Sequence, residues 1–183
     1  VVLLRREPAC SDERGTRQDQ QEPQTRRTSV GPGRGQLVLG AGNGLLVIGA
    51  VRVVVSRGIG VVVFSPIYYP FLDAIADSGR RRVDCPLERD GWRIDPDRLE
   101  ASIDATTKVI LFCNPHNPTG RVFSPDEVAA VADAAERHNL LVITDEIWGE
   151  LVHPGATHRP LAISDERFAG RLVTLGSASK TFN

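Results

Sequence analysis

Tyr68, Asn117, Asp145 and Lys180 are the residues of this 183-residue sequence whose types and positions could do chemistry together. Each follows a short, β-branched apolar run. Pro66-Ile67-Tyr68-Tyr69 follows Val61–Ser65, and Asn114 to Gly120 follows Val109–Cys113; Asp145-Glu146 follows Leu140–Thr144, and Ser177-Ala178-Ser179-Lys180 follows Leu172–Gly176. Runs that are apolar throughout predict strands of a parallel sheet covered on both faces. Ligands of such sheets bind just beyond the carboxyl ends of the strands, so an aromatic, an amide, a carboxylate and an amine are expected along one edge. After Leu37–Leu39 the turn Gly40-Ala41-Gly42-Asn43-Gly44 adds backbone N–H groups that an anion could approach at a helix start. As a dinucleotide fingerprint this turn is mis-spaced, G-x-G-x-G, and no Asp or Glu between Glu22 and Asp73 could take a ribose. A single phosphate fits it better.

The elements that must position these groups are also legible. Ser124 and Glu127 form a capping box for a helix over Pro125–His138, with Pro125 at the first position and Val128, Val131, Ala132 and Ala135 on one face. Arg137 and His138 fall in its last turn, where cations are favoured. Asp95-Pro96 predicts a shorter helix through Ile103. Strands alternating with helices predict an α/β domain with right-handed crossovers. The apolar stretch Leu37–Val51 is 15 residues long and carries Asn43, short of the ~20 residues of a membrane span, and predicts a buried strand, turn and helix.

Composition sets the bounds. With 22 Lys+Arg against 23 Asp+Glu and a net charge of -1, no overall field draws the molecule to nucleic acid or an anionic membrane. A 41% hydrophobic content supports one core. Cys10, Cys85 and Cys113 are odd in number and widely spaced, which argues against a disulfide framework and a zinc site and favours a reduced, cytoplasmic setting. Residues 1–35 mix Arg, Gln, Glu, Pro and Gly without apolar periodicity and are expected to be a poorly ordered leader. Glu7, Asp12, Glu13, Asp19 and Glu22 dilute the field of Arg5, Arg6, Arg26 and Arg27. Val1–Leu4 is too short for a signal-peptide core. Without any Met, and with Asn183 directly after a motif, the sequence reads as a piece of a longer protein.

Pyridoxal phosphate needs the whole set: a lysine for its imine, an acid facing the pyridine nitrogen, a donor to the phenolic oxygen, an aromatic over the ring and a phosphate cradle. Asn114 to Gly120 (NPHNPTG), Asp145-Glu146 and Ser177 to Lys180 (SASK) resemble the signature of fold-type I pyridoxal-phosphate enzymes of aminotransferase class I/II. FSPIYYPF at 64–71, CNPHNPTGRVFS at 113–124, PGATHRPL at 154–161 and SASKTFN at 177–183 most resemble the MalY/PatB group of cystathionine (cysteine-S-conjugate) β-lyases. The resemblance runs from about Gln36 to Asn183. It implies a three-layer, mostly parallel large domain, present in part over 36–183, in a homodimer acting on a small amino-acid substrate. It also implies that Lys180 carries the Schiff base and Asp145 pairs with the pyridinium nitrogen. Asn117 would bond the phenolic oxygen, Tyr68 would stack on the ring, and Gly42, Asn43 and Ser177 would hold the phosphate. The runner-up activity is amino transfer, and a non-catalytic remnant is the reading from another class.

Other residues carry plainer expectations. Tyr69, Phe71 and Trp92 read as core or interface aromatics, His138, His153 and His158 as surface histidines, His116 as a structural mark of the subgroup, and Cys113 as a buried, inert thiol. One departure stands out. Three positions after Asp145, where aminotransferases of this superfamily usually place Tyr and many β-lyases His, stands Trp148. Its indole N–H donates and cannot accept.

Overall fold

A computed structural model describes residues 36–39, 57–177 and 179–182. The expectations for the leader 1–35, for the glycine turn with Gly42 and Asn43, and for the helix after it lie outside the described residues. Six strands form one sheet: β1 (Gln36–Leu39), β2 (Gly60–Ser65), β3 (Arg81–Pro86), β4 (Thr107–Cys113), β5 (Leu141–Asp145) and β6 (Leu172–Gly176). All pair in parallel, in the order β1-β6-β5-β4-β2-β3. The helices are α1 (Tyr69–Asp77), α2 (Pro96–Ser102), α3 (Pro125–Arg137), α4 (Leu161–Ser164) and α5 (Ser179–Phe182), with a 3-10 turn at Glu166–Phe168.

Strand alternation sorts the side chains into two cores. Val61, Val63, Val109, Leu111, Ile143, Val173 and Leu175 face one side, where Phe71, Ala74 and Ile75 of α1 cover them. Val62, Phe64, Ile110, Phe112 and Val142 face the other, under Leu99 of α2 and Val128, Val131, Ala132 and Ala135 of α3. The chain moves outward from β2 to β3 and then returns past β2 to β4 and β5. Right-handed crossovers in opposite directions must place their helices on opposite faces, as α1 and α3 are placed. The gap between β2 and β4 is thus the point where strand order reverses, where open α/β sheets form a crevice.

Most predicted elements are present. In α3, Ser124 Oγ accepts the Glu127 N–H at 3.3 Å and Glu127 Oε2 accepts the Ser124 N–H at 2.8 Å, while His138 forms the C-cap and no longer belongs to the helix. Asp95 caps α2 by accepting the Asp97 and Arg98 N–H groups. The edge strand β3 had no counterpart in the sequence reading. Its RRVDCP buries only Val83 and Cys85 and leaves the alternate residues exposed, the pattern of an edge strand and not of a central one. Among the described residues no helix is long and apolar enough to cross a membrane.

Candidate functional site

The loop after β4 is built on its own hydrogen bonds. Asn114 is buried; its N–H donates to the Asp145 carbonyl at 3.0 Å, and its Oδ1 accepts the Phe123 N–H at 3.0 Å. The His116 N–H donates to Arg121 O and the Gly120 N–H to His116 O, both at 2.7 Å. Gly120 takes φ +73°, a conformation that suits glycine. Across the strand-order reversal, the Tyr68 N–H donates to the Asn117 carbonyl at 3.2 Å, joining the loops after β2 and β4. Arg121 closes the loop on α3 through two bonds to Glu127, 2.7 and 2.9 Å long. Glu127 also accepts the Ile94 and Ser124 N–H groups. Burial pushes the Glu127 carboxyl up, but Arg121 and these backbone donors together hold it below the usual range.

His116 lies inside this loop, 2% exposed. Its Nδ1 is 2.8 Å from Thr119 Oγ1, and no hydrogen bond of normal geometry reaches its buried Nε2. Burial pushes the imidazole down to about 4, opposed by the nearby Phe64 backbone and aided by the charge of Arg121. Cys113 is buried as expected, and desolvation pushes its thiol far up.

Asp145 ends β5 in register with Cys113 of β4 and Leu175 of β6. It is 3% exposed, and its Oδ1 accepts the Ile147 N–H at 3.1 Å. Burial raises its carboxyl to about 6; the Ile147 bond opposes that shift and the Glu146 charge adds to it. Glu146 turns away from this edge. It accepts the Leu161 N–H at 3.0 Å on Oε1 and lies 3.3 Å from His158 Nε2 through Oε2. His158 is therefore no surface histidine. Its side chain is 6% exposed against 8% for Glu146, because the segment 154–161 folds back over the start of the β5 loop. Gly149 permits this packing, since a Cβ there would come within 2.7 Å of His158 Cδ2. His138 is likewise half-buried, 2.7 Å from Glu100, whereas His153 is exposed as expected.

The remaining candidates are more open. Tyr68 is half-buried, its ring edge-on to buried Phe71 at 5.6 Å. Tyr69, expected in a core or interface, is 70% exposed at the first position of α1, and Trp92, in the turn before α2, is 37% exposed. The Ser177 Oγ lies 2.8 Å from Ser179 Oγ and accepts the Ser179 N–H at 3.3 Å. Lys180 is exposed, with Nζ 5.3 Å from the centre of the Trp148 ring. A cleft of about 300 Å³ joins Asn117 and Trp148 with Pro115, His116, Leu151 and His153. Asp145, Tyr68, Ser177 and Lys180 lie outside its lining.

The donor set suits pyridoxal phosphate. Tyr68 and Asn117 follow β2 and β4 and Asp145 ends β5, three adjacent strands that at ~4.8 Å per strand span the width of a substituted ring. A buried carboxyl raised to about 6 is one that a cationic ring nitrogen would recharge. Among the described residues no cluster could hold a metal. Sequence reasoning missed Glu146 and His158 as a buried pair, although both stand in the quoted motifs, and Gly149 gave the signal, a glycine within four residues of Asp145.

The aminotransferase class I and II family description matches residues 28–183. The chain is similar to the cystathionine beta-lyase PatB of Bacillus subtilis, 36% identical over 136 residues that make up 73% of this chain and 35% of that protein. It is similar to the solved structure of N-succinyldiaminopimelate aminotransferase from Mycobacterium tuberculosis, with a TM-score of 0.73 at 39% identity, covering 76% of this chain and 37% of the other. It also resembles cystalysin from Treponema denticola, whose structure contains pyridoxal 5'-phosphate, with a TM-score of 0.73 at 40% identity over 78% of this chain and 37% of that one. The chain spans about a third of the length of the curated relatives it matches. By sequence, sheet and cofactor-suited edge alike, this chain belongs to the pyridoxal-phosphate-dependent aminotransferase class I and II family.

Proposed function

We propose that the complete protein carrying this chain is a carbon–sulfur β-lyase that cleaves cystathionine or a cysteine S-conjugate to a thiol, pyruvate and ammonia. The observation that carries this reading is the set of motifs at 64–71, 113–124, 154–161 and 177–183, which follow the β-lyase group; Trp148, beside Lys180, stands where aminotransferases usually have Tyr and many β-lyases His.

Bound at this edge, pyridoxal phosphate supplies an aldehyde that links to amines and a ring that accepts electrons. Asp145 would hold a proton at the pyridine nitrogen. The Asn117 amide would donate to the phenolic oxygen, and Tyr68 would cover one ring face. Ser177, with Gly42 and Asn43, would take the phosphate. Lys180 would link to the cofactor's aldehyde, and its amine, once free, would take the substrate Cα proton. Loss of the sulfur from Cβ follows proton removal from Cα. Amino transfer shares that proton removal and differs in where the proton returns, and the likeness to an aminotransferase of known structure favours it as the second reading.

We further propose a homodimer, as the family resemblance implies, and a reducing, cytoplasmic setting, which the buried free thiols of Cys85 and Cys113 support. Size-exclusion chromatography of the complete protein is expected to give a dimer. Assayed with cystathionine, it is expected to release pyruvate without an added keto-acid acceptor. Keto-acid-dependent amino transfer without pyruvate would replace the lyase reading with the second one.

A further inference from the structure

Lys180 is exposed and sits on a four-residue helix, yet its amine does not hang free: Nζ lies over the Trp148 ring, 5.3 Å from its centre. A free lysine side chain has large rotamer entropy, and a contact that removes it beforehand makes the amine easier to meet. Trp148 is itself held. The Gly149 N–H donates to Glu146 O at 2.9 Å and the Leu151 N–H to Trp148 O at 2.9 Å, so the indole stands on a tight turn directly after Asp145. That turn is pinned by the buried Glu146 carboxylate, which grips His158 and the Leu161 N–H. The side-chain room for His158 exists because position 149 is glycine. Trp148 also shares its cleft with Asn117, which places the indole between the loop after β4 and the helix carrying the lysine.

We infer that Trp148 is a positioning residue for Lys180: its ring seats the lysine amine at the site edge, and the Glu146–His158 pair holds the turn that presents the ring. The inference rests on the reading of Lys180 as the lysine that links to pyridoxal phosphate. An ammonium is drawn to the ring by its quadrupole, and a neutral amine can still direct an N–H at it, so the seat serves both forms.

The sequence provides its own control. Lys108 and Lys180 are the only lysines, and Lys108 is exposed at the amino end of β4, on the opposite edge of the sheet. The 183-residue chain would be mixed with pyridoxal phosphate, reduced with borohydride and digested, and the label on Lys180 compared with that on Lys108. Lys180 is expected to dominate. Trp148→Ala is expected to lower the Lys180-to-Lys108 ratio about two- to five-fold, the size of a cation held over an exposed aromatic face, and Trp148→Phe to restore it. An unchanged ratio in Trp148→Ala, or no recovery in Trp148→Phe, would overturn the inference while leaving Lys180 as the linking lysine. No preference for Lys180 in the unaltered chain would instead defeat the reading beneath it. Should Trp148→Ala fail to fold, Trp148 fluorescence decides. With Trp92→Phe leaving a single tryptophan, Lys180→Met is expected to change the Trp148 emission and Lys180→Arg to preserve it, and an emission indifferent to Lys180→Met would overturn the contact.

Discussion

The carboxyl ends of β4 and β6 meet the same site in opposite ways. After β4, Asn114, His116, Arg121 and Glu127 bind one another, β5 and α3, and bury most of what they use. After β6, Ser177 bonds Ser179, and Lys180 lies exposed over the Trp148 ring, with no further partner for either among the described residues. In the proposed site, one half of the edge is bound structure and the other half rests on little structure. The two halves should therefore respond differently to substitution, in stability on one side and in cofactor capture on the other.

The largest effect is expected at Glu127. Glu127→Ala removes the ion pair with Arg121 and the acceptor of the Ile94 and Ser124 N–H groups, and should lower the unfolding free energy by about 2–4 kcal/mol in urea at neutral pH. A loss below about 1 kcal/mol would erase the contrast. Next comes Asp145, where structure and function pull apart. Its folded carboxyl titrates at about 6 against an ordinary 3.8, so the unfolded chain releases this proton first and stability falls as pH rises from about 4 through 6. Asp145→Asn, which can keep the Ile147 bond, should stabilise the chain without cofactor by about 1–3 kcal/mol at pH 7 and yet weaken pyridoxal phosphate binding. Urea titration measures the gain in stability and visible absorption the loss of affinity.

His116 sharpens the same comparison. Its folded imidazole titrates at about 4 against 6.5, so the unfolded chain takes up this proton first, and stability falls as pH drops from 6.5 through 4. Asp145 and His116 thus oppose each other over nearly one pH window. Asp145→Asn should expose the His116 slope, with stability lost in acid, and His116→Asn the Asp145 slope, with stability gained. Equal slopes in the two variants would contradict both assignments. The smallest effect belongs to the open half: Lys180→Ala should shift stability by no more than about 0.5 kcal/mol, measured in the same titration.

The fold was legible wherever burial on both sides wrote a continuous apolar run, as in β2, β4, β5 and β6, and wherever a cap was spelled out, as by Ser124 and Glu127. It was illegible at β3, because an edge strand needs only Val83 and Cys85 inward and its remaining residues read as a loop. The candidate residues could be placed at the strand ends from position alone. Their support could not. His158 looked like a surface histidine because its partner lies twelve residues away, across a loop whose path the sequence does not declare. The contact of Lys180 with Trp148 joins two strand ends that no local pattern connects.

Pyridoxal phosphate added to the chain and to Lys180→Ala, with visible absorption recorded before and after borohydride, tests directly whether this edge, with Lys180, is a pyridoxal phosphate site. A band is expected in the unaltered chain, erased by reduction and missing from Lys180→Ala. An equal band in both, with the label then found on Lys108, would contradict it.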